Sequence, residues 1–252
     1  MKLYPQLRAL QSRFPALLSM KSGAQRLMRQ AMKRPFERDF EVLARLKVRA
    51  GECAIDVGAN RGQSIDAIRL YQPALPIHSF EPSTLLADRL RQRYGNSAAV
   101  TIHNCGLSER AEERVLYLPV YRDFPYDGLA SFDRKEAAGW LNAETVAGFD
   151  PSHLDIRETV CVTERLDAFD FAPAFLKIDV QGFEANVLKG GEEMLEKHNP
   201  LILLENNDAA DAWLTGKGWR RLAYAGGRLQ DGARGKSNTF YLSPRGPDRL
   251  TD

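Results

Sequence analysis

Cysteine is scarce in this sequence. Cys53, Cys105 and Cys161 are the only three, far apart and without a C-x-x-C pair. That spacing excludes a disulfide scaffold and a thiolate zinc site, and with no secretory apolar segment it predicts reduced thiols in a cytoplasmic protein. Cys53 and Cys105 lie in apolar runs and are expected as small buried residues. No apolar run approaches the roughly 18 residues that span a bilayer, and there is no internal repeat or low-complexity tract. Acidic residues are missing altogether from positions 1–36, where eight basic ones stand (Lys2, Arg8, Arg13, Lys21, Arg26, Arg29, Lys33 and Arg34). The net charge of +2 therefore hides a remainder with 27 basic against 33 acidic residues, a net of −6. Basic groups gathered in one arm, instead of lining a groove with aromatics, exclude nucleic acid as a partner.

That arm, residues 1–35, is a separate electrostatic unit. Leu7, Leu10, Phe14, Leu17, Leu18, Leu27 and Met28 recur at loosely helical spacing, which predicts a helical N-terminal extension. It either packs on the core with a solvated basic face or lies on an anionic membrane, giving peripheral contact at the inner membrane surface. Pro5 and Pro15 interrupt a long membrane-lying helix. Residues 36–252 are expected as one catalytic-size domain, for which 252 residues at 44% apolar content are ample.

The most informative stretch is Ala54-Ile55-Asp56-Val57-Gly58-Ala59-Asn60-Arg61-Gly62-Gln63-Ser64, an apolar strand running into a glycine-rich turn, followed by residues at helical spacing. Glycines let the backbone turn tightly and approach a ligand closely. A dinucleotide site wants G-x-G-x-x-G with the pyrophosphate on the helix N-terminus. Here the glycines fall as G-x-x-x-G and Asp56 heads the loop, so a carboxylate would face the ligand, which suits a cation such as S-adenosyl-L-methionine. About 20 residues on, Ile77-His78-Ser79-Phe80-Glu81-Pro82 reads as a strand ending in an acid, where ribose hydroxyls are held in α/β nucleotide sites.

The coarse order is helix (36–48), strand (53–58), helix (62–71), strand (76–81), helix (83–94) and strand (98–105), which specifies a parallel sheet covered on both faces. An extra strand follows at 113–118. Residues 119–158 are loop-rich and are expected to cover the substrate. The pattern resumes with a strand at 175–180, a helix at 184–197 and a strand at 201–206. Residues 220–224 and 238–242, around Gly226-Gly227, read as a terminal antiparallel hairpin, which closes methyltransferase sheets but not dehydrogenase ones.

Four segments together resemble the FkbM-type methyltransferase family: Ile55 to Gly62; Phe80-Glu81-Pro82; Phe175-Leu176-Lys177-Ile178-Asp179-Val180-Gln181-Gly182-Phe183-Glu184 with Val187-Leu188-Lys189-Gly190-Gly191; and Pro200 to Glu205. The third is the most specific. Gln181 stands where the family often has Glu, which removes a charge. The resemblance implies a class I methyltransferase (Rossmann-like) α/β fold with a mostly parallel seven-stranded sheet. It also implies S-adenosylmethionine as cofactor and a small-molecule or glycan acceptor, either a saccharide hydroxyl or that of a secondary metabolite. Methylation at nitrogen or of a protein, and a non-catalytic nucleotide-pocket module, are the alternatives.

In an open α/β sheet the ligand lies over the carboxyl ends of the strands. Asp56, Gly58, Asn60 and Gly62 are expected at the methionine end of the cofactor, Glu81 and Pro82 at the ribose, and Asn104, Cys105, Gly106 and Leu107 at the adenine edge. Asp179 is expected beside both cofactor and acceptor. With Glu205 and Asn206 it offers oxygens for a hard divalent ion such as Mg²⁺; the rival reading has Asp179 alone as base and Glu205 held by backbone amides. Glu184 is either a support for the site or an early-turn acid favoured by the helix dipole. In the cover segment, Tyr121, Phe124, Tyr126, Trp140 and Phe149 either stack on substrate or form a small core, and His153 and Asp150 are candidate proton acceptors. His198 is expected to cap a helix end.

Overall fold

The computed structural model describes residues 34–245 and 249–251; the N-terminal extension lies outside the described residues. Two compact units appear, one of Arg34–Glu113 with Cys161–Asp252, the other including Arg114–Val160.

The larger unit is built on an eight-stranded sheet. Its elements begin with a 3₁₀ helix (Arg38–Arg45), followed by β1 (Cys53–Val57), α1 (Gln63–Tyr71), β2 (Ile77–Phe80), α2 (Thr84–Tyr94), β3 (Val100–His103) and β4 (Gly106–Leu107). β5 (Glu112–Tyr121) leads into the smaller unit, which holds β6 (Phe124–Pro125), α3 (Arg134–Gly139) and the start of β7 (Leu154–Glu164). The larger unit resumes with β8 (Pro173–Ile178), α4 (Glu184–Gly190), α5 (Glu192–His198), β9 (Leu201–Glu205), α6 (Asp208–Gly216), β10 (Arg220–Ala225), β11 (Arg228–Asp231) and β12 (Asn238–Leu242). The strand order is β11-β10-β12-β9-β8-β1-β2-β3. β3, β2, β1, β8 and β9 run parallel, and β12, β10 and β11 are antiparallel to their neighbours.

β1 is buried at all five residues and β8 at all six, as expected of central parallel strands with both faces covered. One face packs Phe40, Leu43, Ile65, Ile68, Leu90 and Phe175; the other packs Val57, Phe80, Ile178, Val187, Leu188 and Leu204. One acid, Asp56 in β1, and one lysine, Lys177 in β8, interrupt this apolar centre, and they belong to the site.

Three expectations are corrected. The sheet has eight strands, not seven, because Gly226 and Gly227 (φ 59° and 82°) turn β10 into β11; two successive positive-φ residues suit a two-residue hairpin. β11, with Arg228, Gln230 and Asp231 exposed, carries no hydrophobic alternation to betray it. The strand at 238–242 does pair with β10, but it also pairs with β9 and lies between the two. The single helix expected over 184–197 breaks at Gly190-Gly191. A Cβ on Gly190 would sit 2.0 Å from the Ser108 carbonyl oxygen, and one on Gly191 2.8 Å from Leu166, so the glycines permit a close approach that a continuous helix with side chains would not.

In the smaller unit the cover-segment aromatics form their own core. Tyr121, Tyr126, Leu141 and Val146 are buried with Phe124 and Phe149 against them, and the rings of Tyr121 and Phe149 stack at 5.2 Å. Trp140 is exposed.

Candidate active site

The glycine loop joins β1 to α1 at the carboxyl edge of the sheet. Gly58, Asn60 and Gly62 all have positive φ (80°, 47° and 82°). Gly58 admits no side chain, since a Cβ there would lie 1.9 Å from the Asp179 carbonyl oxygen; the backbone just after β8 therefore runs directly against the loop. The Gly58 and Ala59 amides donate to the Phe80 carbonyl, both at 3.1 Å, and the Tyr94 hydroxyl donates to the Gly62 carbonyl at 2.9 Å.

Parallel register explains what holds the loop from behind. Asp56 is paired with Ser79 on one side and Lys177 on the other, so the three side chains share one face. Asp56 is fully buried. Its Oδ2 accepts from Ser64 Oγ at 2.7 Å and from Ser79 Oγ at 3.3 Å, and its Oδ1 lies 3.4 Å from Lys177 Nζ. In this geometry Asp56 steadies the loop from below instead of presenting its carboxylate to a ligand.

Glu81, 5% exposed, reaches the loop from the end of β2. Its Oε2 accepts from the Asn60 amide at 2.8 Å and its Oε1 from the Ser83 amide at 2.9 Å. Burial pushes its carboxyl up to about 7 even though both amides favour the charged form. The Asn104 side chain donates to the Glu81 and Pro82 carbonyls at 3.0 and 3.3 Å. Cys105 is half-buried, its thiol pushed up to about 11 by desolvation, and Gly106 and Leu107 form β4 beside β7. All three thiols are free.

Asp179 follows β8, and its amide donates to the Val57 carbonyl at 3.2 Å. Its side chain is 42% exposed, with Oδ2 3.6 Å from Lys177 Nζ. The Gln181 amide donates to Asp179 at 3.1 Å and to Glu205 at 2.8 Å. Glu205, at the end of β9, hydrogen-bonds to Asp179. Burial raises Asp179, but the Lys177 ammonium and the hydrogen bonds from Glu205 and Gln181 outweigh it and hold this carboxylate below its usual range. Glu205 is pushed up to about 8, first by burial and then by the Asp179 charge. At neutral pH the pair thus shares one proton, Asp179 charged and Glu205 neutral.

Asn206 does not join this pair. Its amide donates to the Gly235 carbonyl at 2.9 Å and its oxygen accepts from Thr239 Oγ1 at 2.7 Å. Among the described residues no group of three or more His, Cys, Asp or Glu is arranged for a metal ion. The Gln181 side chain donates to both carboxylates, and Asn206 is engaged elsewhere. The expected set Asp179, Glu205 and Asn206 is therefore not brought together.

Glu184, almost fully buried at the start of α4, folds back under the same segment. Its Oε1 accepts from the Val180 and Gly182 amides at 3.1 and 3.2 Å, and its Oε2 from the Asn207 side chain at 2.8 Å. It braces the turn in which Gln181 and Gly182 have positive φ (53° and 92°), a support and not merely a dipole partner. His153 lies in the smaller unit, Nε2 3.8 Å from Asp150 Oδ2, its ring edge-on to Tyr121 at 6.4 Å. His198 ends α5 ahead of Asn199 in a left-handed conformation; its carbonyl accepts from Arg249 at 2.6 Å.

Lys177 and Gln181 were not among the residues expected to act. Lysine is almost never fully buried unless paired, so a lysine within Phe175-Leu176-Lys177-Ile178-Asp179 was the available signal. Asp56, on the neighbouring strand, was the partner to look for. A groove of about 520 Å³ lined by Arg49, Glu52, His78, Asp170 and Phe171 opens at the start of β1 and β2. It is at the wrong ends of the strands for the ligand of an open α/β sheet.

A parallel sheet closed by antiparallel strands, with a glycine loop after β1 and acids at the ends of β2 and β8, is the class I methyltransferase arrangement. Residues 56–227 match the family described as Methyltransferase FkbM domain. The chain belongs to this family of S-adenosylmethionine-dependent methyltransferases. Among solved structures it is similar to methyltransferase FkbM from Methylobacillus flagellatus KT (17% identity, 78% of this chain and 44% of that one, TM-score 0.48). It is also similar to an S-adenosylmethionine-dependent O-methyltransferase from Thermotoga maritima (14% identity, 85% and 69%, TM-score 0.41). A third is precorrin-6y C5,15-methyltransferase from Geobacter metallireducens GS-15 (14% identity, 80% and 83%, TM-score 0.39). The chain spans under half the length of the Methylobacillus protein. No curated protein matches it. Among the described residues no helix is long and apolar enough to cross a membrane.

Proposed function

We propose that the chain is an S-adenosylmethionine-dependent O-methyltransferase acting on a hydroxyl of a saccharide, glycan or secondary metabolite, with Asp179 as proton acceptor. The observation that carries this is Asp179 itself: ionised, two-fifths exposed, held by Lys177 and Gln181, and adjoining the glycine loop. The loop suits the cofactor, because Asn60 Oδ1 is a buried acceptor with no partner and Glu81 keeps a carboxylate at the ribose position. When bound, S-adenosylmethionine supplies an electrophilic methyl group on sulfur. The protein's part is to align the acceptor oxygen and receive its proton. Glu205 and Gln181 fix the Asp179 carboxylate for that transfer, Glu184 braces their turn, and Asp56 stiffens the loop through Ser64 and Ser79. Asn104 to Leu107 are assigned to the adenine edge in this reading. Calorimetric titration tests the reading: S-adenosylhomocysteine should bind and NAD should not. Unchanged S-adenosylhomocysteine affinity in an Asp56→Ala, Glu81→Ala double variant would overturn the site assignment.

A further inference from the structure

Lys177 lies inside β8, which is buried at all six residues, and its ammonium has four oxygen neighbours. Nζ donates to the Gly58 carbonyl at 2.9 Å and to the Val57 carbonyl at 3.2 Å, both at the start of the glycine loop. It lies 3.4 Å from Asp56 and 3.6 Å from Asp179. One side chain therefore meets the carboxylate behind the loop, the backbone of the loop and the carboxylate on its open side. We propose that Lys177 is a positioning residue that locks the cofactor loop and Asp179 into one unit, its ammonium holding the loop carbonyls while balancing the two carboxylates. The inference rests on the methyltransferase reading for what the unit does, but not for its pairings.

The two halves of this role are separable. Charge balance concerns Asp56 and Asp179. Asp56 is fully buried and Asp179 partly exposed; without the cation between them the two carboxylates repel, and leaving the buried one unpaired is strongly destabilising. Burial opposes the charge on Lys177, yet Asp179 and Asp56 outweigh it and hold the ammonium protonated. Glu37 from the segment before the 3₁₀ helix and Glu81 from the end of β2 feel the same charge at longer range, and Glu205 feels it through Asp179. The carbonyl half concerns Val57 and Gly58. If the ammonium goes, the Gly58 oxygen loses this donor and the Val57 oxygen keeps only the Asp179 amide, and the loop loses its fixed entry angle.

The test is a thermal double-variant cycle on the unliganded protein, joined to S-adenosylhomocysteine calorimetry. Lys177→Met should lower Tm by roughly 10 °C and weaken S-adenosylhomocysteine binding about tenfold. Adding Asp179→Asn to Lys177→Met should raise Tm again by several degrees, since it removes one of the stranded charges, while leaving the affinity weak because the Gly58 carbonyl still lacks the ammonium. A Lys177→Met protein that does not fold, beside a double variant that does, supports the same conclusion. Additive losses of Tm, neither variant folding, or full affinity in Lys177→Met would overturn it. If the wild type binds no S-adenosylhomocysteine, the methyltransferase reading fails while the thermal cycle still decides the pairings of Lys177.

Discussion

Glu81 makes the binding of the cofactor product depend on pH. Its carboxylate holds the loop through the Asn60 and Ser83 amides, and it titrates near 7 because burial opposes the charge. Ligand hydroxyls donate best to the ionised form, so affinity should rise with pH and level off above about 8. At pH 5.5 a group of pKa about 7 is only about 3% ionised, so S-adenosylhomocysteine should bind roughly 30-fold more weakly there than at pH 8. Glu81→Gln keeps the shape and one acceptor but sets an NH₂ against a backbone N–H. Losing a charged hydrogen bond costs about 1.5–3 kcal/mol, and the stranded amide adds to it. The variant should bind at least tenfold more weakly at pH 8, with the pH dependence flattened. Calorimetry from pH 5.5 to 8 is the assay. A wild-type affinity constant over that range, or a Glu81→Gln protein matching the wild type at pH 8, would refute the reasoning. Stability runs the other way. The folded pKa lies above the unfolded value, so the folded state binds more protons between about 4.5 and 7, and stability falls as pH rises through that window.

Further outcomes follow from other residues. Gly58→Ala should weaken both folding and S-adenosylhomocysteine binding by circular dichroism melts and calorimetry, since a methyl group would collide with the Asp179 carbonyl and φ 80° costs a β-carbon about 1–3 kcal/mol; a wild-type melt would contradict the close approach. His78 and His103 lie with ring nitrogens 3.2 Å apart, and burial lowers both, His103 to about 4 with help from His78. Their folded pKa values are below the unfolded 6.5, so the stability they allow is complete above pH 6.5 and is lost as pH falls towards 4; the melts of a His103→Gln protein should lose part of that acid slope. If the basic arm lies on a membrane, liposome co-sedimentation should require anionic lipid and weaken with salt. Equal sedimentation with neutral lipid, or none, leaves packing on the core as its role.

The central sheet was legible because buried parallel strands are apolar runs and the glycine loop has a fixed spacing. Asp56, Glu81, Asp179 and Glu205 all fall at or beside the carboxyl ends of strands, where an α/β ligand lies. What escaped was direction and partnership. Asp56 was expected to face a ligand; only the parallel register, which sets it between Ser79 and Lys177, shows it turned into the sheet. Asn206 adjoins Glu205 in sequence, yet alternation along the chain gives it to Gly235 and Thr239. β11 is polar and exposed and resembles a loop, and the break at Gly190 depends on Ser108, more than 80 residues earlier. Gln181 brings no charge, but its amide donates to Asp179 and Glu205 at once.

Methyl transfer from methyl-labelled S-adenosylmethionine to a panel of sugars, glycans and hydroxylated metabolites, comparing wild type with Asp179→Asn, tests the account most directly. The wild type should label a hydroxyl acceptor. Asp179→Asn should retain S-adenosylhomocysteine binding but turn over about 100- to 10,000-fold more slowly, and ethylenediaminetetraacetate should leave the wild-type rate unchanged. Near-normal turnover by Asp179→Asn on that acceptor would contradict the account and pass the role to His153 or Asp150; loss of activity on chelation, restored by Mg²⁺, would return Asp179 and Glu205 to the role of metal ligands.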